Sequence, residues 1–540
     1  MMKRQGIILL LILSTGVTCA QNRAINVLHY GFDISLSDSS NQIQGIADVD
    51  FISNQPADSM YLDLAAVDLS RGTGMKVSDV SSNGRSLKYF QQPERLDIYF
   101  DSTLTPGSDR TVRILYGGIP GDGLIIDRNK FHHKTFFADN WPNRAHDWIP
   151  CNDHPSDKAS VDFTVTAPDH YQVVANGVLV EQTELPDHRR LTHWKESLPL
   201  PTKVMVIGVA DFAVRLSATI GCIPVTSWVF PENRVDGFRE YAISGKVLSF
   251  LISYIGPYPY SKLANVQSKT IFGGMENAGN IFYYENSVTP DSVEGRPVRS
   301  LEELFAHETA HQWFGDEASE ADWPHVWLSE GFATYMTHLY IEHVYGSDSL
   351  SKQMSHDRQI VLDFYKKHKT PVVDTTETRH LMLLLNPNSY QKGSWVLHML
   401  RRKLGDALFQ KGIRAYYLAY KGRNASTDDF RKVMEKTSGM DLKTFFKQWL
   451  YTAGQPSLAV TWKYDPHTNL CILHARQLQD VLFSFPLQYL VSGEHSKALH
   501  SIDINARDTT WRIPLSFVPR SVTLDPDVNL LFAGTVTQEP

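Results

Sequence analysis

The chain has 540 residues, a formal net charge of -7, 42% hydrophobic and 21% charged residues. This composition excludes disordered, collagenous, coiled-coil and multi-span membrane classes, and the length predicts three or four domains. The acidic balance, with no basic stripe, argues against a nucleic-acid partner.

From the N-terminus, Lys3 and Arg4 precede an unbroken apolar run over residues 7–13, and Thr18-Cys19-Ala20 follows. The run is too short for a bilayer. Its order of basic, apolar and small residues predicts a secretory signal peptide over 1–20, cleaved after Ala20. Lipid attachment at Cys19 is the weaker reading, because Thr18 is a poor residue ahead of a lipidated cysteine. No later segment reaches the roughly 20 apolar residues of a transmembrane helix. The expectation is an exported protein, periplasmic or extracellular, with no transmembrane anchor. Cys151, Cys222 and Cys471 cannot form a disulfide framework, and either one bridge or three buried thiols would suit them. Cys151 reads as a core cysteine rather than a catalytic thiol.

From about residue 26 to 215 the pattern is β-like. Tyr30, Phe32, Ile34 and Leu36 fall at every second position, as do Ala47, Val49 and Phe51, and clusters such as Ser81-Ser82-Asn83-Gly84 separate the runs. This predicts a sheet domain over 21–215. Helical signals dominate from about 231 to 453. Ser300 and Glu303 have capping-box spacing, Leu301, Leu304 and Phe305 recur at helical spacing, and Gly315 suits a helix end, which together predict a helix over 301–314. Pro324 and Gly346 bracket a second over 326–345, and further helices are expected over 389–404, 406–420, 427–438 and 441–452. After Gly454-Gln455-Pro456 strands return at 458–462, 485–491 and 521–524. The fold class is therefore multidomain α+β, divided at 21–215, 216–453 and 454–540.

The first marked helix carries His307-Glu308-Thr309-Ala310-His311, which is H-E-x-x-H. Residues four apart project from one helix face, a spacing that suits two ligands of one tetrahedral zinc. Eighteen residues separate His311 from Glu330, near the start of the second helix. Two packed helices would set Glu330 opposite the histidines. Two His and one Glu leave a fourth position for water, as in hydrolytic zinc sites. Glu308 stands beside the first ligand as a general base. Gly331 costs about 1 kcal/mol inside a helix relative to Ala, and predicts close helix packing at the site. One zinc per chain is expected.

Phe272-Gly273-Gly274-Met275-Glu276-Asn277-Ala278-Gly279, the zinc motif with its distal Glu330, and Tyr390-Gln391-Lys392-Gly393 occur in that order. Together they resemble the aminopeptidase N family of zinc gluzincins, which includes leukotriene hydrolase, over most of the chain. The resemblance implies a β-saddle domain, a thermolysin-like, mostly helical catalytic domain and a small C-terminal β-sandwich. It implies that Glu276 binds the α-ammonium of peptides with a free N-terminus. Gly273, Gly274, Met275 and Asn277 would hold the peptide like an added strand, and Tyr390 would donate to the oxyanion. Many relatives continue into a long helical domain over the site; without one the cleft is expected to be more open, or covered by another subunit.

Two positions depart from the family pattern. Trp141, ten residues before Cys151, stands where relatives often carry a Gln or Glu as a second amine ligand. Thr337, seven residues after Glu330, stands where a carboxylate often supports a histidine, so that support must be rearranged. The first functional reading is a zinc aminopeptidase. A leukotriene-hydrolase-like epoxide hydrolase would need a long apolar tunnel. A non-catalytic peptide-binding protein would be expected to have lost one of His307, His311, Glu330, Glu308 or Tyr390, and all are present. His132, His133, His154, His325, His338 and His343 read as packing or surface residues, and the basic run 366–369 as a solvated face. Oligomeric state and the preferred N-terminal residue stay open.

Overall fold

The computed structural model describes residues 24–288, 298–377 and 379–539, so the expected signal peptide lies outside the described residues. In the N-terminal part an eight-stranded sheet places Ile25–Ser35 between Ile43–Ser53, antiparallel, and Lys158–Pro168, parallel. The expected alternation holds there. Tyr30, Phe32 and Ile34 are buried, with Phe32 stacked on Phe163, while Asp33 faces solvent. A four-stranded sheet (Leu124–Arg128, Lys134–Ala138, Gln172–Ala175, Ile207–Ala210) and a three-stranded one (Ala57–Asp63, Lys88–Gln91, Arg95–Leu104) complete this part.

A five-stranded sheet follows, of Ala213–Ile220, Ile223–Val229, Leu263–Ser268, Asn280–Tyr284 and, at its edge, the two-residue strand Gly274–Met275. The helices are α1 (Arg234–Glu240), α2 (Ser244–Tyr254), α3 (Val298–His311), α4 (Trp327–Tyr345), α5 (Ser347–Lys367), α6 (Gly393–Leu404), α7 (Asp406–Tyr420), α8 (Thr427–Ser438) and α9 (Lys443–Phe446). From Trp327 to Ile341 every residue of α4 is buried. A helix covered on all sides is the centre of its domain. The close packing expected at Gly331 is present: a Cβ there would lie 2.9 Å from the Cα of Gly393 on α6.

Several boundaries differ from expectation. Helix α3 starts at Val298, so Ser300 lies inside it rather than at its cap, and Glu303 accepts a hydrogen bond from Gln353 of α5 instead (2.7 Å). It ends at His311, not at 314, and Gly315 turns the chain at φ 120°. The sequence signals predict no helix where α5 lies, because Gly346 reads as a stop. Gly346 does end α4, at φ 85°, but a new helix begins at the next residue, burying Leu350, Met354 and Val361. The basic run 366–369 at its end is exposed. The segments expected as helices over 389–404 and 441–452 contain wide π turns, Asn388–Lys392 and Lys447–Tyr451.

Beyond residue 456, four strands (Ser457–Asp465, Leu470–Gln477, Asp508–Pro514, Ala533–Gln538) form one sheet and three (Phe485–Ser492, Lys497–Ile504, Ser521–Leu524) another. Trp462, Cys471 and Leu473 from the first meet Tyr489, Val491 and Val522 from the second in one buried cluster. The three described cysteines are free thiols. Cys151 and Cys471 are buried and Cys222 is exposed, so these three form neither the bridge nor a set of three buried thiols. No helix among the described residues is long and apolar enough to cross a membrane.

Candidate active site

Helix α3 reaches the site because its apolar face, Phe305, Ala306 and Ala310, is fully buried. The opposite face then presents His307, Glu308 and His311 to the start of α4. Three atoms converge there. His307 Nε2 and His311 Nε2 are 3.2 Å apart, and Glu330 Oε2 lies 3.3 Å and 3.2 Å from them. A tetrahedral ion with bonds of about 2.0–2.1 Å sets its donors about 3.3 Å apart. The spacing and the donor set therefore fit a zinc ion. Burial would raise the Glu330 carboxyl, but His311 and His307 hold it far below the usual carboxylate range, so it is anionic.

Glu308 and Glu276 bring one carboxylate oxygen each to within 4.8 Å of each other and of a His311 nitrogen. Burial pushes Glu308 well up, and Glu276 and Glu330 add to the shift. A divalent cation at the neighbouring triangle would draw it back down. Burial also raises Glu276, against which His311 and the buried ammonium of Lys203 pull it down. Lys203 itself is paired with Glu320 at 2.5 Å, both completely inside. Tyr390 sits in the π turn before α6, its ring stacked on His307 at 5.9 Å. Burial and the surrounding carboxylates push its phenol well up, so it keeps the proton that an oxyanion donor needs.

Glycines set how closely these parts approach. A Cβ on Gly274 would come 2.5 Å from Glu308 Oε1, so a glycine there lets the edge strand lie against the Glu308 side chain. A Cβ on Gly315 would overlap Ser329 Oγ. That hydroxyl is 2.9 Å from His311 Nδ1, and the Phe314 carbonyl is 3.2 Å from the same nitrogen. The histidine support that Thr337 does not supply comes from here; Thr337 Oγ1 instead donates back to the Ala333 carbonyl at 2.9 Å. Gln312 ties α3 to the Glu276 loop, donating to the Glu276 carbonyl (2.5 Å) and accepting from Gly279 N–H (2.8 Å). Neither Ser329 nor Gln312 was singled out in the sequence. Position next to a ligand or just after H-E-x-x-H was the only signal.

His307, Glu308, His311, Glu330, Tyr390, Glu276, Gly273, Gly274 and Met275 all line one cavity of about 280 Å³. Asn277 does not join them: it is fully buried, and neither side-chain polar atom has a partner among the described residues. His133 pairs with Glu232, His154 packs on Trp323, His338 meets Asp357 at 2.7 Å, and His343 packs on Phe250. Cys151 is a core thiol that burial pushes well up. Among the described residues, both candidate metal clusters share His311.

Comparison with known proteins places this arrangement. A model of the peptidase M1 N-terminal domain matches residues 26–204, and a model of the peptidase family M1 domain matches 240–449. The probable aminopeptidase 2 of Sulfurisphaera tokodaii is 26% identical, over 72% of this chain and 50% of its own length. Human glutamyl aminopeptidase is 26% identical over 81% of this chain and 47% of its own. The chain thus spans about half the length of these relatives. Its fold is that of Legionella pneumophila aminopeptidase A solved with aspartic acid (TM-score 0.82, 17% identity, 95% of this chain and 60% of that one). It is also that of an M1 zinc metallopeptidase from Deinococcus radiodurans (TM-score 0.65, 22% identity, 79% and 94%). With both domain models matching, one after the other, across the sheets and helices that build the site, the chain belongs to peptidase family M1.

Proposed function

We propose that this chain is a zinc-dependent aminopeptidase that hydrolyses the first peptide bond of peptides with a free N-terminus. The observation that carries the reading is the triangle of His307 Nε2, His311 Nε2 and Glu330 Oε2, with Glu308, Glu276 and Tyr390 around the same cavity. His307, His311 and Glu330 would hold one zinc per chain. Bound there, the ion supplies a Lewis acid for the scissile carbonyl and lowers the pKa of a water toward about 7. Glu308 takes a proton from the attacking water and passes it to the leaving amine, so one water is added across the C–N bond. The Tyr390 O–H donates to the carbonyl oxygen as negative charge develops on it. Glu276 takes the α-ammonium, and the edge strand Gly274–Met275 offers its free backbone groups to the peptide.

The same reading has a signal peptide over 1–20 and export of the mature chain. It divides the chain into a β-saddle domain over 21–215, a thermolysin-like catalytic domain over 216–453 and a β-sandwich over 454–540. The two sheets that share a cluster beyond residue 456 support the last of these.

The purified chain should bind one zinc, lose activity to a chelator and regain it with zinc. His307→Ala and His311→Ala should lose metal and activity together. Glu308→Gln should keep the metal and lose hydrolysis by ~10²-fold or more. Normal turnover in Glu308→Gln would overturn the reading, as would zinc-loaded protein that cleaves no aminoacyl amide with a free amine.

A further inference from the structure

We infer that the N-terminal residue this site accepts is apolar, and that Trp141 is the residue that selects it. The inference rests on the aminopeptidase reading and adds the substrate class to it. Once the groups assigned to metal, proton transfer, oxyanion and ammonium are set aside, the side chains left on the cavity wall are Trp141, Phe272, Met275, Leu304 and Leu385. Among the described residues, no Lys or Arg lines the cavity. With the ammonium at Glu276 and the carbonyl beside Tyr390, the side chain of the first residue meets this wall.

The wall is built rather than incidental. Trp141 is 2% exposed and packs edge-to-face on Phe272 (6.5 Å) and on Trp323 (5.9 Å). Both flanks of Trp141 are clamped. Asn140 donates to the carbonyls of Thr202 (3.1 Å) and Met205 (2.7 Å) and accepts from the Trp148 indole (2.9 Å). Arg144 donates to the Trp141 carbonyl (2.8 Å) and to Asp139 (2.5 Å). The other oxygen of Asp139 accepts from Thr270 Oγ1 (2.8 Å) and Ile271 N–H (2.9 Å), which fixes the segment leading into Phe272. A wall held from both sides loses little freedom when a ligand meets it. The indole N–H of Trp141 has no acceptor among the described residues.

Charge decides what fits. An acidic side chain would be buried near Glu276, Glu308 and Glu330 with no lining cation to pair it. A basic side chain would find Glu276 already engaged by the ammonium, and the nearby Arg144 guanidinium is itself paired with Asp122 and Asp139 and turns no charge toward the cavity. An apolar side chain gains about fourfold in binding per methylene buried. The acidic residue in the names of the human and Legionella relatives is therefore not expected here.

The test is kcat/KM of the zinc-loaded full chain on Leu, Met, Phe, Glu, Asp and Arg aminoacyl-nitroanilides. The apolar substrates should exceed Glu and Asp by ~10²-fold or more. Trp141→Ala should shrink that ratio at least ~10-fold by slowing the apolar substrates, and Trp141→Phe should restore most of it. Leu385→Arg, at a half-buried wall position, should raise the Glu-to-Leu ratio by ~10-fold or more. Calorimetric binding of leucine and glutamate hydroxamates reads the same wall without turnover, so it separates this inference from the catalytic reading. Glutamate bound or cleaved as well as leucine would overturn the inference. So would a Trp141→Ala variant that slows every substrate equally, since that is a merely structural role.

Discussion

On the proposed reading Glu276 takes the substrate amine, and Trp141, which lines the same cavity, brings no second carboxylate to it. An ammonium paired with it gains a charge-assisted hydrogen bond worth roughly 1.5–3 kcal/mol. Glu276→Ala should therefore lower kcat/KM on a free peptide by about 10- to 200-fold. It should also leave little preference for that peptide over its N-acetylated form; a strong remaining preference would assign the anchor elsewhere. Ser329 acts one step back. Its hydroxyl and the Phe314 carbonyl are the groups on His311 Nδ1, so they set the ring's tautomer and direction. Ser329→Ala should weaken zinc binding ~10- to 100-fold in a chelator competition while leaving the unfolding temperature nearly unchanged. Unchanged zinc affinity would reduce Ser329 to a packing residue. That His307 and His311 share one helix face was legible because H-E-x-x-H fixes their spacing by helix geometry alone. Ser329, Gln312 and Arg144 were not, because each matters only through partners brought near by the fold.

At the scale of elements, helix crossings and a strand edge set the site, and two glycines separate their contributions. A Cβ on Gly331 would press on Gly393 backbone atoms at 2.9–3.0 Å, and neither helix can yield without the other. Gly331→Ala should cost about 1–3 kcal/mol, read as a lower unfolding midpoint in urea. A Cβ on Gly274 would instead meet the end of the Glu308 side chain. Gly274→Ala should therefore leave stability nearly intact and slow catalysis by displacing the base. If Gly274→Ala were as destabilising as Gly331→Ala, the edge strand rather than Glu308 would be absorbing the clash. The strand and helix periods in the sequence predicted the β-rich N-terminal part and the helical part. What they could not give was where α3 stops. It ends at His311, four residues ahead of the Gly315 that marks a stop in the sequence.

Across the whole molecule, buried lysines tie the N-terminal sheets to the start of Leu263–Ser268, and the π turn before α6 to the segment leading into the C-terminal strands. Lys262 donates to the carbonyls of Ala175 (2.8 Å) and Gly177 (2.7 Å), and Lys392 to that of Gly454 (2.8 Å). Burial pushes each down to about 7. An unfolded lysine titrates near 10.4. Between about pH 7 and pH 10 the unfolded chain therefore binds more protons than the folded one, and stability rises with pH. Below that window both states are charged and the burial penalty is present in full; above it both are neutral and the penalty is gone. Lys392→Met should flatten the rise by up to about 1.4 kcal/mol per pH unit within the window, measured as the difference in unfolding free energy from the native chain. Parallel slopes would mean that folded Lys392 stays charged.

The strand Gly274–Met275 is only two residues long, which at about 3.3 Å per residue is a ruler of roughly 7 Å. On the proposed reading an incoming chain would register its first residues against that edge, which among the described residues offers it no longer strand. Length beyond the first few residues should thus go unread: a tripeptide and a decapeptide with the same beginning should be trimmed at similar kcat/KM. A folded protein would need to expose only a short frayed end to be a substrate.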